Sequence, residues 1–270
     1  MLSATSISHI GFFIPGNGTA AAQLPESDQR LSLIRQAEAL GYDSAWVERP
    51  RKQQRGFGDF LDAAIRDTRR IAIGFGCDRQ ELGRLADGRL HAEIGSGGPA
   101  DAALGPLHTT GNRIWCDADS PGAAAWAGAC GFNLVIDTPC ATGGARGARS
   151  DSLALIEAYW NAHAGEAPPR ILANRIVLPF DGADRATRER YEDFALSARH
   201  DDAAPRNPAS AILAGFADAI VQALRRDPVL LHVTELRLAL PRGFPPRDHE
   251  QILADFRRLV APRLGHGPLH

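Results

Sequence analysis

Lysine is almost missing from this chain. Of 30 basic residues only Lys52 is a lysine, and it sits in the polar stretch Arg49 to Arg55. Schiff-base catalysis needs a desolvated amine of lowered pKa, so aldolase-type and pyridoxal-phosphate chemistry are excluded. The four cysteines (Cys77, Cys116, Cys130, Cys140) form no CxxC pair and no regular framework. They read as free thiols, with Cys77 and Cys116 near strand ends serving as packing residues. The nine histidines include no HxH or HExxH arrangement, which argues against a zinc hydrolase, and no metal site is expected. A GxSxG nucleophile elbow is also lacking. No apolar run reaches the ~18–20 residues that span a bilayer. Met1 to Ile10 lacks the basic and apolar regions of a secretory leader, so no membrane association and a cytoplasmic home are expected. The net charge of -2 comes from interleaved acids and bases, a solvated surface rather than a nucleic-acid interface.

What is present is an alternation of strands and helices. Strands are expected at Ile7 to Ile14, Ser44 to Val47, Ile71 to Gly76, Arg89 to Ile94, Ile114 to Cys116, Asn133 to Ile136, Ile171 to Leu178 and His232 to Leu240. Helices are expected at Gln29 to Leu40, Asp59 to Asp67, Pro121 to Cys130, Ser152 to His163, Ala186 to Ser197, Pro208 to Arg225 and His249 to Val260. Several strands are continuously apolar, as in a parallel sheet covered on its faces. Eight such strands in 270 residues favour closure into a (β/α)8 barrel. The connections Asp78 to Asp87 and Pro99 to Asn112 are short or broken by glycine and proline. The helices after strands 3 and 4 are therefore expected to be shortened or missing, since a parallel crossover takes roughly ten to twelve residues.

Several segments, in this order, resemble the luciferase-like flavin monooxygenases. Ala37 to Val47 looks like that family's first helix and second strand. Arg69 to Gly74, Leu85 to Leu90 and Ile94 to Gly98 resemble its third and fourth strands, and Arg113 to Asn133 its fifth and sixth. Asp227 to Leu240 and Val260 to Leu264 resemble its last strand and helix. The resemblance implies one barrel domain over residues 1–270 and reduced FMN as cofactor, ahead of F420. It further implies a small-molecule substrate, a separate flavin reductase as possible partner, and a homodimer paired through helices of the first half, with Gln29 to Leu40 as candidate.

Carried over by residue, the resemblance places the FMN phosphate at Asp119, Ser120 and Ala123, where a strand end runs into a helix N-terminus. Read locally, Asp119 or Ser120 could equally be a plain N-cap. The flavin ring is expected against Gly74, Phe75, Gly95 and Ser96, although glycines at strand ends also serve as turns. Arg175, a charge inside a strand, points either to solvent or to an anion; the family has an arginine there.

Two departures bear on turnover. Where the family commonly carries a histidine after the second strand, this chain has Glu48 and Arg49, the weak catalytic candidates. Arg49 cannot serve as a base because guanidinium does not deprotonate in proteins. The family's long excursion after the fourth strand is collapsed here. These departures keep a second reading open: a non-catalytic flavin-binding or partner subunit on the same barrel. A Rossmann reading of Gly95 to Ala100 fails because Gly105-Pro106 breaks any helix that follows.

Overall fold

The computed structural model describes residues 7–16, 25–49, 56–77, 88–95, 111–136, 151–164, 167–200 and 212–266. Eight parallel strands close on themselves: β1 (His9–Ile14), β2 (Ser44–Val47), β3 (Ala72–Gly76), β4 (Leu90–Ile94), β5 (Ile114–Asp117), β6 (Asn133–Ile136), β7 (Ile171–Arg175) and β10 (Glu235–Ala239). Closure is made by β1, which pairs with β2 on one side (Phe13 opposite Trp46) and β10 on the other (Gly11 opposite Arg237). The (β/α)8 barrel expected from the alternation of elements is thus the fold. Around it lie α1 (Pro25–Leu40), α2 (Phe57–Asp67), α3 (Pro121–Ala129), α4 (Ser152–Ala162), α5 (Arg185–His200), α6 (Ala217–Arg226) and α7 (Pro246–Asp255). A π-helical turn over Phe256–Val260 continues α7. Of the connections judged too short for full helices, Asp78 to Asp87 and residues 99–110 of Pro99 to Asn112 fall outside the described residues, and the second ends in a 3-10 turn over Gly111–Arg113.

Two expectations need correction. The seventh strand does not run from Ile171 to Leu178. It ends at Arg175, and Val177–Pro179 forms β8, which pairs with β9 (Leu213–Gly215) in a two-stranded sheet outside the barrel. Accordingly Pro208 to Arg225 is not one helix: its described part holds β9 and α6. Continuous hydrophobicity across Ile176 hid the break, because strands of two adjacent sheets are both buried.

Alternate residues of each barrel strand face opposite sides. Ile10, Phe12 and Ile14 of β1, Leu134 and Ile136 of β6, and Leu236 and Leu238 of β10 join the large core between sheet and helices. Leu33, Ile34 and Ala37 of α1 lie in that same core, so its apolar stripe is used within the chain. The lumen holds a separate small cluster of Phe13, Trp46, Trp115, Val135 and Leu172. Trp46 meets Trp115 edge-on at 5.7 Å between ring centroids. Such a large ring fits only because its neighbours are bare. A Cβ on Gly74 would stand 2.1 Å from the Trp46 ring, and one on Gly11 would stand 2.1 Å from Ser44 Oγ, which accepts the Trp46 indole N–H.

Candidate functional site at the barrel mouth

Apolar side chains do not fill the lumen of this barrel alone. Arg237, between Leu236 and Leu238 on β10, turns inward with a relative exposure of 1%. Its Nε donates to Asn174 Oδ1 on β7 at 2.6 Å, and its Nη1 donates to Glu93 Oε2 on β4 at 2.5 Å. The guanidinium also lies over Trp46, 4.8 Å from the ring centroid, and over Phe13 at 5.5 Å. Asn174 completes the network by donating to the Ile136 carbonyl at 3.0 Å. An isolated charge in such a place would cost several kcal/mol, so cation and carboxylate are each other's condition for burial. The Glu93 side chain keeps 15% exposure, against 1% for its partner.

The N-terminal end of the lumen carries a second polar group. Arg170 donates Nε to Glu235 Oε1 at 2.7 Å and stacks over Trp115 at 4.9 Å. Trp115 in turn donates its indole N–H to His91 Nδ1 at 3.0 Å. Burial, with Arg170, Arg113 and His9 nearby, pushes the His91 imidazole down to about 3, so it is neutral at physiological pH. Burial also raises the Glu235 carboxyl above its ordinary range, with Arg170 working against that rise. This end is tied shut by its own hydrogen bonds and reads as a structural floor.

At the C-terminal mouth the sequence-derived candidates divide. Ser120 is the N-cap of α3: its backbone is extended and its Oγ accepts the Ala123 N–H at 3.3 Å. Pro121 follows at the first helical position, where its missing N–H costs nothing. The capping reading of Ser120 is therefore correct, and its hydroxyl proton remains able to donate to an anion. Asp119 is half-buried beside it and Ala123 is buried. Gly95 ends β4, next to the β5 strand that leads into α3. Among the described residues a Cβ there would meet nothing within 4 Å, and the same holds for Gly76 at the end of β3. Asp119, Ser120, Ala123 and Gly95 thus lie at the ends of two neighbouring strands. Ser96 lies outside the described residues.

Gly74, Phe75 and Arg175 are placed differently. The bareness of Gly74 is used by the Trp46 ring. Phe75 faces outward onto Phe57 of α2, with 6.1 Å between ring centroids. Arg175 alternates with inward Asn174 and lies on the outer side, where its Nε donates to Asp227 at 2.7 Å. Asp227 ends α6 and is itself buried, so this ion pair joins β7 to the helix layer. Glu48 is also engaged: Oε2 accepts the Gly16 N–H at 2.6 Å and an Arg242 N–H at 2.6 Å. These contacts tie together the chain just beyond β1, β2 and β10. Arg49 is half-buried at the same rim.

Sequence reasoning missed Glu93 and Arg237. The signal was present, since both are charges flanked by apolar residues within strands. Singling out Arg175 on that ground chose the strand charge that faces the helices.

With this architecture in view, the chain can be set beside known structures. It shares its fold with the monooxygenase RslO1 from Streptomyces bottropensis, at TM-score 0.68 and 14% identity over 94% of this chain and 99% of that one. It is similar to the oxygenating constituent of 3,6-diketocamphane monooxygenase from the CAM plasmid of Pseudomonas putida, determined in complex with FMN. That match has TM-score 0.61 and 14% identity over 96% of this chain and 99% of the other. The coenzyme F420-dependent tetrahydromethanopterin reductase from Methanopyrus kandleri aligns at TM-score 0.58 and 14% identity, over 96% and 100% of the two chains. No protein-family model and no curated protein sequence matches the chain. The likeness is one of barrel architecture, and it runs over nearly the whole length of each chain. Among the described residues, no helix is long and apolar enough to cross a membrane.

Proposed function

We propose that this protein is a flavin-dependent oxidoreductase of the monooxygenase kind, binding FMN at the C-terminal mouth of the barrel. The observation that carries this reading is the conjunction of three neighbouring strand ends. Among the described residues nothing lies within 4 Å of a Cβ built on Gly76 or Gly95, and β5 delivers the capped N-terminus of α3 next to them. A helix N-terminus favours an anion through its free N–H groups and its dipole. In this reading Ser120 and the backbone up to Ala123 hold the FMN phosphate, and the ring lies toward Gly76 and Gly95. Gly74 and Phe75 then act behind it as packing, and Arg175 takes no part. The full-length likeness to an FMN-bound oxygenase and to an F420-dependent reductase supports a flavin-type cofactor, and FMN rather than F420 is part of the proposal. When bound in reduced form, the flavin supplies two electrons for oxygen chemistry on a small organic substrate, while the protein positions it and excludes water. Cytoplasmic residence, supply of reduced flavin by a separate reductase, and homodimerisation belong to the same proposal.

The test is direct. Purified protein should carry or take up FMN, and Ser120→Glu should abolish that uptake by placing a carboxylate against the phosphate, with the circular dichroism unchanged. Failure of the wild-type protein to bind oxidised or reduced FMN would sink the reading. Unchanged affinity in Ser120→Glu would remove Ser120 from the site.

One observation favours a second reading, flavin binding without turnover. Glu48 stands where the resemblance led us to look for a base, yet its carboxylate is held by Arg242 and Gly16. If reduced FMN binds but oxygen uptake is coupled to no product, the chain is a flavin-binding or partner subunit.

A further inference from the structure

Glu93 is a polar group of the lumen on the side of the mouth. Its Oε2 is taken by Arg237, and its side chain keeps 15% exposure while Arg237 is sealed beneath it. The next residue on the same face of β4 is Gly95, and the residue opposite Glu93 on β3 is Gly76. A Cβ at either place would meet nothing within 4 Å among the described residues. The carboxylate therefore stands beside the bare backbone of two adjacent strand ends, where no described side chain blocks the approach of a flat ring. On the inner side the guanidinium is stacked between Trp46 and Phe13.

We propose that Glu93, through the carboxylate oxygen that Arg237 does not use, accepts a hydrogen bond from the ring N–H of a planar imide or lactam heterocycle, with Arg237 as the positioning residue. Resting on the flavin reading, this assigns the acceptor to the N3–H of the isoalloxazine pyrimidine edge. The pairing is consistent in charge: Arg237 neutralises the carboxylate, so a neutral donor can approach it. The donor belongs to the cofactor rather than to a separate substrate hydroxyl, because Glu93 stands on β4, the neighbour of the β5 strand that leads to the proposed phosphate end.

FMN and N3-methyl-FMN, which lacks that proton, test the assignment by fluorescence titration. A charge-assisted hydrogen bond of this kind corresponds to roughly tenfold or more in affinity. Wild-type protein should therefore bind FMN at least about tenfold more tightly than N3-methyl-FMN. Glu93→Gln turns one of the two acceptor oxygens into an NH2 donor, and with its remaining oxygen toward Arg237 it presents that donor to the ligand N–H; this variant should bind the two flavins with similar affinity, its melting temperature checked in parallel. Equal binding of both flavins by the wild-type protein overturns the assignment and leaves the cofactor reading standing, as does full wild-type discrimination in a folded Glu93→Gln. Binding of neither flavin by the wild-type protein removes the cofactor reading itself.

Discussion

Breaking the lumen ion pair should cost the fold unequally from its two ends. Glu93→Leu leaves the Arg237 guanidinium, at 1% exposure, with Asn174 and two aromatic faces but no counter-charge. Removing one partner of a buried pair costs about 3–5 kcal/mol, and we expect Glu93→Leu near the top of that range. Arg237→Met leaves a carboxylate that solvent can still reach, since Glu93 keeps 15% exposure. The loss should be nearer 2–3 kcal/mol, including about 1 kcal/mol for the cation–π contact with Trp46. The double variant removes both charges together, and apolar replacement of a whole buried pair is often close to neutral. Its loss should be at least about 2 kcal/mol smaller than the sum of the single losses. Urea unfolding of the four proteins at pH 7, followed by tryptophan fluorescence and circular dichroism, measures the cycle. Additive single effects, or losses below about 1 kcal/mol for both, would refute the claim that the two charges hold each other in the lumen.

Two further outcomes rest on the same barrel. Gly74→Ala drives a methyl into the Trp46 ring, at 2.1 Å for an unrelaxed Cβ, and should cost about 2–3 kcal/mol as overpacking. Gly76→Leu enters open space and should change stability by less than about 1 kcal/mol while weakening FMN binding; a Gly74→Ala variant as stable as wild type in urea would mean the lumen is looser than described. The third outcome concerns pH. The folded pKa of His91 is held down at about 3, below its unfolded value. Its contribution is therefore fully present above about pH 6.5 and is lost as pH falls through that window toward 3, at up to ~1.4 kcal/mol per pH unit. His91→Gln should flatten this acid limb of the stability–pH curve, and an unchanged slope would show that His91 is not the buried neutral group.

The barrel was legible because its two periodicities are strong. Strands such as Ser44–Val47 and Asn133–Ile136 are bounded in the sequence by turn residues and in the structure by the same residues. The break at Ile176 was not legible. No glycine or proline marks it, and Val177–Pro179 leaves the barrel only because β9, far along the chain, offers it another partner. Pairing of that range is a property of the closed fold, which no local window contains.

At the mouth the cap of α3 was legible and the facing of the strand residues was not, and both outcomes have one cause. Ser120-Pro121-Gly122 is a local device: cap, first-turn proline and small residue do the same work wherever a helix begins. Gly74, Phe75 and Arg175 depend on which way a strand residue faces, and a one-residue change of parity exchanges lumen for helix layer. The sequence does carry enough to fix that parity. Trp46 and Trp115 need bare or flat neighbours, and Gly74 opposite Trp46 supplies one. Once Gly74 faces the lumen, Phe75 must face the helices, and Gly76 must face the mouth. The same count along β4 turns Glu93 inward, and a carboxylate inside a closed barrel demands a cation across it. On β10 Arg237 faces inward, between Leu236 and Leu238, which turn to the helices. The inward charge pair follows from strand parity and the cost of burying a lone charge: Glu93 keeps exposure above the sealed Arg237, whereas the strand-borne Arg175 is paired with Asp227 on the helix side.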